Sequence, residues 1–248
     1  MKDVQSTLLD RRSIRRYERE TISAENMNFI YDAIRNTPTS YNGQQFSVID
    51  ITDQELKERL YSLTGQKQIK TCAHFLLFCA DYNKISQIAE HKNIDMPEFE
   101  QTADGVIVGV VDATLAMMSA LVAAESVGLG TCPIGYARTA AHEEMSLLLK
   151  LPQKVFVVCG LAIGVPREMP DMKPKQQKEL VIFSNTYRQD NLVPDLDEYD
   201  KIVTHYNQVR SGHTTDNDWA AHIINYYHEA MSYHTLDALR RRGFDIKR

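Results

Sequence analysis

Arg11, Arg12, Arg15 and Arg16 fall within one heptad, Arg11-Arg12-Ser13-Ile14-Arg15-Arg16-Tyr17, with the hydroxyl of Ser13 between them. Guanidinium groups at that density suit a phosphate, because each planar fork holds two oxygens at once and keeps its charge at physiological pH. A solvated basic turn is the competing reading of the same residues. A second basic pair, Lys173 and Lys175, flanks Pro174, and the proline restricts the loop that presents the two ammonium groups. The stretch Thr37-Pro38-Thr39-Ser40-Tyr41-Asn42-Gly43-Gln44-Gln45 carries hydroxyls and amides without a charge. It suits either hydrogen bonding to a polar heterocycle or a plain turn.

Other chemistries lack their residues. No Gly-x-Ser-x-Gly occurs, so a serine-hydrolase elbow has no support. His142-Glu143-Glu144-Met145-Ser146 opens like a zinc-protease motif but lacks the second histidine. His222, His228 and His234 each turn about 240° around a helix from the last, so they cannot share a metal, and no metal site is expected. Neither a Rossmann Gly-x-Gly-x-x-Gly nor a P-loop is present. A net charge of −5 leaves no dominant basic surface for nucleic acid. Cys72, Cys79, Cys132 and Cys159 lie singly in apolar surroundings, as reduced thiols of a cytoplasmic protein do. Met1 to Asp10 has no apolar stretch of the secretory type.

The elements that must position these groups read as follows. Ser23 caps a helix whose Met27, Ile30, Tyr31 and Ile34 share one inward face. Phe46–Thr52 alternates like a strand. Asp53 caps a helix with Leu56, Leu60 and Leu63 inward, which stops at Thr64-Gly65. Gln66-Lys67-Gln68 is polar and exposed in character, and Ala73–Ala80 is a buried strand. Residues 81–102 are charged and weakly patterned, a cover over something or a surface excursion. Val106–Ala124 is long and apolar but carries Asp112 at its middle. A charge there would cost about 2.5–3.5 kcal/mol in a bilayer, so a buried core or subunit-interface helix is expected and no membrane partner. Thr131–Ile134 is a short strand followed by Gly135. Thr139 opens a helix with Met145, Leu148 and Leu149 inward, and Val155–Ile163 belongs at a sheet centre. After Ser184 the pattern predicts helices near 197–209 and 217–242, packed on the core or around a partner subunit. This gives a core over 1–188 and a helical extension over 189–248.

Arg12-Ser13-Ile14-Arg15, the loop at Thr39-Ser40, Gly65-Gln66, Ala123-Ala124-Glu125-Ser126-Val127-Gly128-Leu129-Gly130, Ile134-Gly135 and Pro170-Asp171-Met172-Lys173-Pro174-Lys175 together resemble the FMN-dependent nitroreductase and flavin reductase family. The nearest branch is that of oxygen-insensitive NADPH nitroreductases and NADPH–FMN oxidoreductases. The resemblance implies an α+β fold with three α/β/α layers, a mixed sheet between helices, and an intertwined homodimer with FMN at the interface. It places Arg11, Arg12, Ser13, Arg15, Lys173 and Lys175 around the FMN phosphate and adjoining ribityl oxygens. It places Thr39, Ser40, Gln66 and the backbone at Ile134 and Gly135 on the flavin and its ribityl chain, and Arg210 near an NADPH phosphate. The implied activity is ping-pong transfer from NADPH or NADH through FMN to a nitroaromatic, quinone or free flavin, with no residue assigned as an essential general acid. A flavin-binding sensor without turnover and a relative specialised for flavin destruction or deiodination are the alternatives. The sequence departs from the family in that Arg11 stands where a histidine is usual, Lys175 stands where an arginine is usual, and the serine-only loop of relatives is here Thr39-Ser40-Tyr41-Asn42, which implies a different substrate face of the flavin. A second arginine near Thr214-Thr215-Asp216 is missing, which leaves NADPH against NADH open.

Overall fold

The computed structural model describes residues 2–247. In chain order the elements are α1 (Val4–Leu9), α2 (Ala24–Arg35), β1 (Phe46–Ile51), α3 (Gln54–Thr64), α4 (Lys67–Thr71), β2 (His74–Asp81), α5 (Asn83–Lys92), α6 (Ala103–Ser126), β3 (Gly130–Ile134), α7 (His142–Leu148), β4 (Val155–Gly164), α8 (Lys178–Val181), α9 (Leu192–Val209), α10 (Trp219–Ala230) and α11 (Thr235–Arg241). Single 3-10 turns lie at Ser40–Asn42, Phe99–Gln101 and Gly135–Arg138. Local chemistry sets several boundaries. Ser23 Oγ accepts from Asn26 N at 3.2 Å, and Asp53 Oδ1 accepts from Leu56 N at 2.8 Å. Gly65 ends α3 in the left-handed region at φ +69°, where a glycine pays no Cβ penalty.

The sheet runs β1-β2-β4-β3, and all three pairings are antiparallel. Its parallel component is the single bridge between Ser13 and Thr131. Strand alternation divides the interior in two. Leu76, Phe78, Ala80, Phe156, Val158, Leu161 and Ile163 join α2 and α6 in one core, whereas Phe75, Leu77, Cys79, Val155, Val157 and Ala162 pack with Leu60, Ile69 and Met145 in the other. Helices on both faces make the three α/β/α layers. A bulge shifts the β2–β4 register between Phe78 and Cys79, so Val158 is an extra residue on β4.

Some expectations are corrected. Tyr31 is not inward: its ring is exposed, and its hydroxyl donates to Asp50. Gln68 is buried, because the polar triplet winds into α4 and Gln68 Nε2 donates to Gln66 Oε1 at 2.9 Å. Within residues 81–102, α5 and the turn at Phe99–Gln101 give the weakly patterned stretch its structure, and it buries Glu100, whose Oε1 lies 2.9 Å from Lys154 Nζ. The helix expected from Thr139 starts at His142, after the turn at Gly135–Arg138 and a left-handed Ala141. Helix α9 begins at Leu192 rather than near 197, and the stretch 217–242 holds two helices.

The chain's contacts part at Met169/Pro170, and they return to the first unit from His234 onward. In that first unit the end of the chain is structural. Phe244 is buried against Tyr82 and Phe156, and Arg242 donates to the carbonyls of Leu151, Pro152 and Val155. The second unit, Pro170–Tyr233, is built on α9. Tyr199 and Tyr206 donate to the carbonyls of Pro174 and Asp171, and Ser211 N donates to Asp171 Oδ2 at 2.6 Å. Asp200 Oδ1 caps α10 by accepting from Trp219 N and Ala220 N. All four cysteines are free and buried, and burial pushes the Cys72, Cys79 and Cys159 thiols up to about 12, so they are unreactive at neutral pH.

Candidate functional site

Strand β3 is an edge strand, so its outer backbone groups need partners. The arginine segment supplies them. Ser13 bridges Thr131, and Ile14 N donates to Thr131 O at 2.8 Å. Farther along, Glu18 N donates to Val165 O, and Arg167 N donates to Arg16 O. Two glycines opposite one another in the β3–β4 register, Gly130 and Gly164, make room for this path. A Cβ on Gly130 would stand 2.9 Å from Ile14 Cγ1, and one on Gly164 would stand 2.7 Å from Tyr17 Cδ1. Ile14 and Tyr17 are thus sunk into the core, Arg15 and Arg16 between them are exposed, and Arg11, Arg12 and Ser13 before them are half-buried.

Carboxylates orient the segment from two sides. Glu168 Oε1 accepts from Arg15 N at 2.7 Å and Arg16 N at 3.2 Å. Glu125, at the end of α6, accepts from Thr131 Oγ1 at 2.5 Å and lies 3.7 Å from Arg11 Nε. Burial raises the Glu125 pKa, and the Thr131 hydroxyl and the Arg11 charge oppose that shift. Arg12 Nη1 approaches Met169 Sδ at 2.7 Å.

The guanidinium groups have spare donors. Arg11 Nε, Arg11 Nη2 and Arg12 Nε are shielded from solvent and have no hydrogen-bond partner. Buried polar atoms are almost always satisfied, so three orphaned N–H groups in one segment mark a place for an anion. A phosphate monoester fits this donor set: it is doubly charged near neutrality and offers three acceptor oxygens to planar forks. The FMN phosphate is such a group.

The remaining candidates lie in three places. Ile134 is buried with its side chain in the core, so only its backbone is available, and Gly135 beside it is exposed. Both sit at the far end of β3 from the Ser13 bridge. Thr39 and Ser40 hang from α6: Ser40 N donates to Asp112 Oδ1 at 3.0 Å, while Thr39 Oγ1 accepts from Gln44 N. Gln66 sits at the α3–α4 joint with its oxygen turned to Gln68. Lys173, Lys175 and Arg210 belong to the second unit, where Arg210 ends α9 and donates from Nε to His213 O. The sequence reading missed Asp112, Glu125 and Glu168 as site residues. A charge inside an apolar run was the available signal for Asp112.

The fold, with its basic segment sewn to the edge of the sheet, places the chain in the class of three-layer α+β proteins. The chain belongs to the nitroreductase family: the family model, "Nitroreductase family", matches residues 8–165, and "Nitroreductase family, C-terminal domain" matches residues 173–247. A Bacillus subtilis (strain 168) relative named FMN reductase NAD(P)H is 36% identical over 250 residues, covering all of both chains. The oxygen-insensitive NADPH nitroreductase of Salmonella typhimurium is 35% identical over 243 residues, covering 96% of each. The solved structure of the hypothetical oxidoreductase YcnD from Bacillus subtilis superposes with a TM-score of 0.94 at 36% identity, and the whole of each chain is covered.

Proposed function

We propose that this chain is an FMN-dependent NAD(P)H oxidoreductase that passes reducing equivalents by a ping-pong cycle to nitroaromatics, quinones or free flavin. The observation that carries the reading is the set of orphaned N–H groups on Arg11 and Arg12 beside β3. Relatives of matching length named FMN reductase and NADPH nitroreductase support it. When bound, FMN supplies the hydride chemistry. The chain's part is to bind and orient. Arg11, Arg12, Ser13 and Arg15 hold the phosphate and nearby ribityl oxygens, and Lys173 and Lys175 add positive charge to the same task. Thr39, Ser40, Gln66 and the backbone of Ile134 and Gly135 contact the ring and ribityl chain, and Arg210 receives the NADPH phosphate. No general acid is required of the chain.

The reading includes a homodimer. Asp112 holds Ser40 and Glu125 faces Arg11 at stations about 20 Å apart along α6, so one copy keeps these two groups of flavin contacts well separated. Helix α6 also exposes Ile107, Val111, Leu115 and Met118 along one stripe. The stripe continues into an apolar cavity of about 510 Å³ lined by Val4, Phe29, Leu115, Met118 and Val122. A second copy seated on this face covers the stripe and brings one copy's Ser40 loop to the other's arginine segment. A cytoplasmic location fits the four reduced thiols.

The experiment is anaerobic titration of the purified yellow protein with NADPH and, separately, NADH, followed by reoxidation with a nitroaromatic, a quinone and free FMN. Bleaching by a pyridine nucleotide and recovery by an acceptor are expected. Protein that carries no flavin, or flavin that neither nucleotide bleaches, overturns the reading.

A further inference from the structure

Between Val106 and Ala124, helix α6 has three polar side chains: Asp112, Thr114 and Ser119. Thr114 turns its hydroxyl to its own helix, donating to Val110 O at 2.7 Å. The other two reach out to one loop. Ser119 Oγ accepts from Thr37 Oγ1 at 2.8 Å, and Asp112 Oδ1 accepts from Ser40 N at 3.0 Å. They stand two helical turns apart on one face, and they grip the loop at its start and at the amide of its first turn.

Asp112 is completely buried, and its second oxygen, Oδ2, has no partner. A buried carboxylate with one idle oxygen is costly, so an apolar helix keeps one only where it does something that alanine or leucine cannot. The loop it holds is itself strained. Tyr41, Asn42 and Gln44 all take left-handed backbone at φ 53–57°, and Tyr41 is 85% exposed, so no packing of its ring fixes that conformation. Within the loop, Asn42 N and Gly43 N return to the carbonyls of Thr39 and Ser40, and Gln44 N to Thr39 Oγ1. These bonds shape the loop but do not attach it to the core. The loop is attached from α6 by these two bonds, at Thr37 and Ser40, and at its far end by Asp81 N, which donates to Gln45 O at 3.0 Å.

We propose that Asp112 is a positioning residue: as a buried acceptor for the Ser40 amide, it fixes the Thr39–Gln44 loop in the form that contacts flavin and faces the electron acceptor. The functional half of this statement rests on the flavin reading above, but the positioning half does not. Asparagine preserves an oxygen acceptor at the same place, whereas leucine preserves the volume and removes the acceptor.

The test compares wild type, Asp112→Asn and Asp112→Leu as purified full chains. The first readout is hydrogen–deuterium exchange of the peptide over residues 37–46. The second is the split of steady-state parameters with nitrofurazone as acceptor. In the leucine variant, exchange of that peptide should rise at least tenfold while β2 and β4 stay within twofold of wild type. Its KM for nitrofurazone should rise fivefold or more, with anaerobic bleaching by the pyridine nucleotide changed less than threefold. The asparagine variant should remain within threefold of wild type in both measures. Unchanged exchange at 37–46 in the leucine variant overturns the proposal, and so does a rise spread equally over β2 and β4, which marks general loosening. If the wild-type chain proves to carry no flavin, the parent reading fails, and the exchange readout alone still decides whether Asp112 positions the loop.

Discussion

Arg11 and Arg16 stand five positions apart in one basic segment, and the structure separates them sharply. Arg11 is half-buried with two orphaned nitrogens, whereas the Arg16 side chain is 79% exposed and lies 3.7 Å from Glu168. A charge-assisted contact to phosphate is worth about 1.5–3 kcal/mol, so Arg11→Ala should weaken FMN binding about 10- to 150-fold, while Arg16→Ala should change it less than about threefold. Fluorescence titration of FMN into flavin-free protein checks both, and equal losses would remove the distinction. Gly164 offers a test of the path rather than of the charge. Its missing Cβ is what lets the Tyr17 ring lie against β4, with the hydroxyl donating to Ile14 O at 2.6 Å. Gly164→Ala should overpack that slot, costing about 1–3 kcal/mol in urea unfolding. It should also weaken flavin binding, because the displaced ring pulls the arginine segment from the sheet edge. A destabilised variant with wild-type flavin affinity would show that the segment is held by its other contacts.

At the scale of elements, the legible parts were those fixed by neighbours in sequence. Ser23, Asp53 and Gly65 announce helix ends because the capping atom and the capped amide lie within a few residues. The start of α7 was not legible. Thr139 looks like a cap, but Arg138 donates to Val158 O across the fold and ends a 3-10 turn over Gly135–Arg138, so the helix waits until after the left-handed Ala141. Helix α9 hid its start behind Pro194, which the first turn tolerates because its N–H would have no intrahelical partner there. Helix α6 was read as core or interface, and it is core on one face only. Its outer stripe carries a prediction: Leu115→Glu puts a charge at the middle of Ile107, Val111, Leu115 and Met118 without touching the sheet-facing side. On the proposed dimer, light scattering after gel filtration should show a shift from dimer to monomer. Flavin should be lost with it, since the Ser40 loop and the arginine segment are then no longer supplied to one site by two copies. A dimeric variant that retains its flavin would refute this use of the stripe.

For the molecule as a whole, the site was legible as chemistry before it was legible as geometry. Residue type announced the basic groups, but the arginine segment reaches its place only through a pairing with Thr131 far along the chain, and no local pattern encodes that pairing. The end of the chain teaches the same lesson: Phe244 closes a core begun by Met27, and Arg242 ties it to the β4 approach. That closure makes stability depend on pH. His142 stacks on Phe156 with ring centroids 4.4 Å apart, and its Nε2 is buried without a partner. Burial, reinforced by the Arg242 charge, lowers its pKa from 6.5 to about 4. Between those values the unfolded chain binds a proton that the folded chain refuses, so stability is full above pH 6.5 and is lost as pH falls toward 4. The full shift corresponds to about 3 kcal/mol, and partial exposure of the ring reduces this to about 1–2 kcal/mol. Glu125 acts in the opposite sense, because its raised pKa lets the folded form take up a proton more readily as the medium acidifies. The His142 contribution is therefore isolated by difference. Urea unfolding of flavin-free wild type and His142→Phe at pH 7.5 and pH 5 should show the wild type losing about 1–2 kcal/mol more than the variant. Equal losses would mean that the histidine is protonated in the folded state and that the stack on Phe156 accommodates its charge.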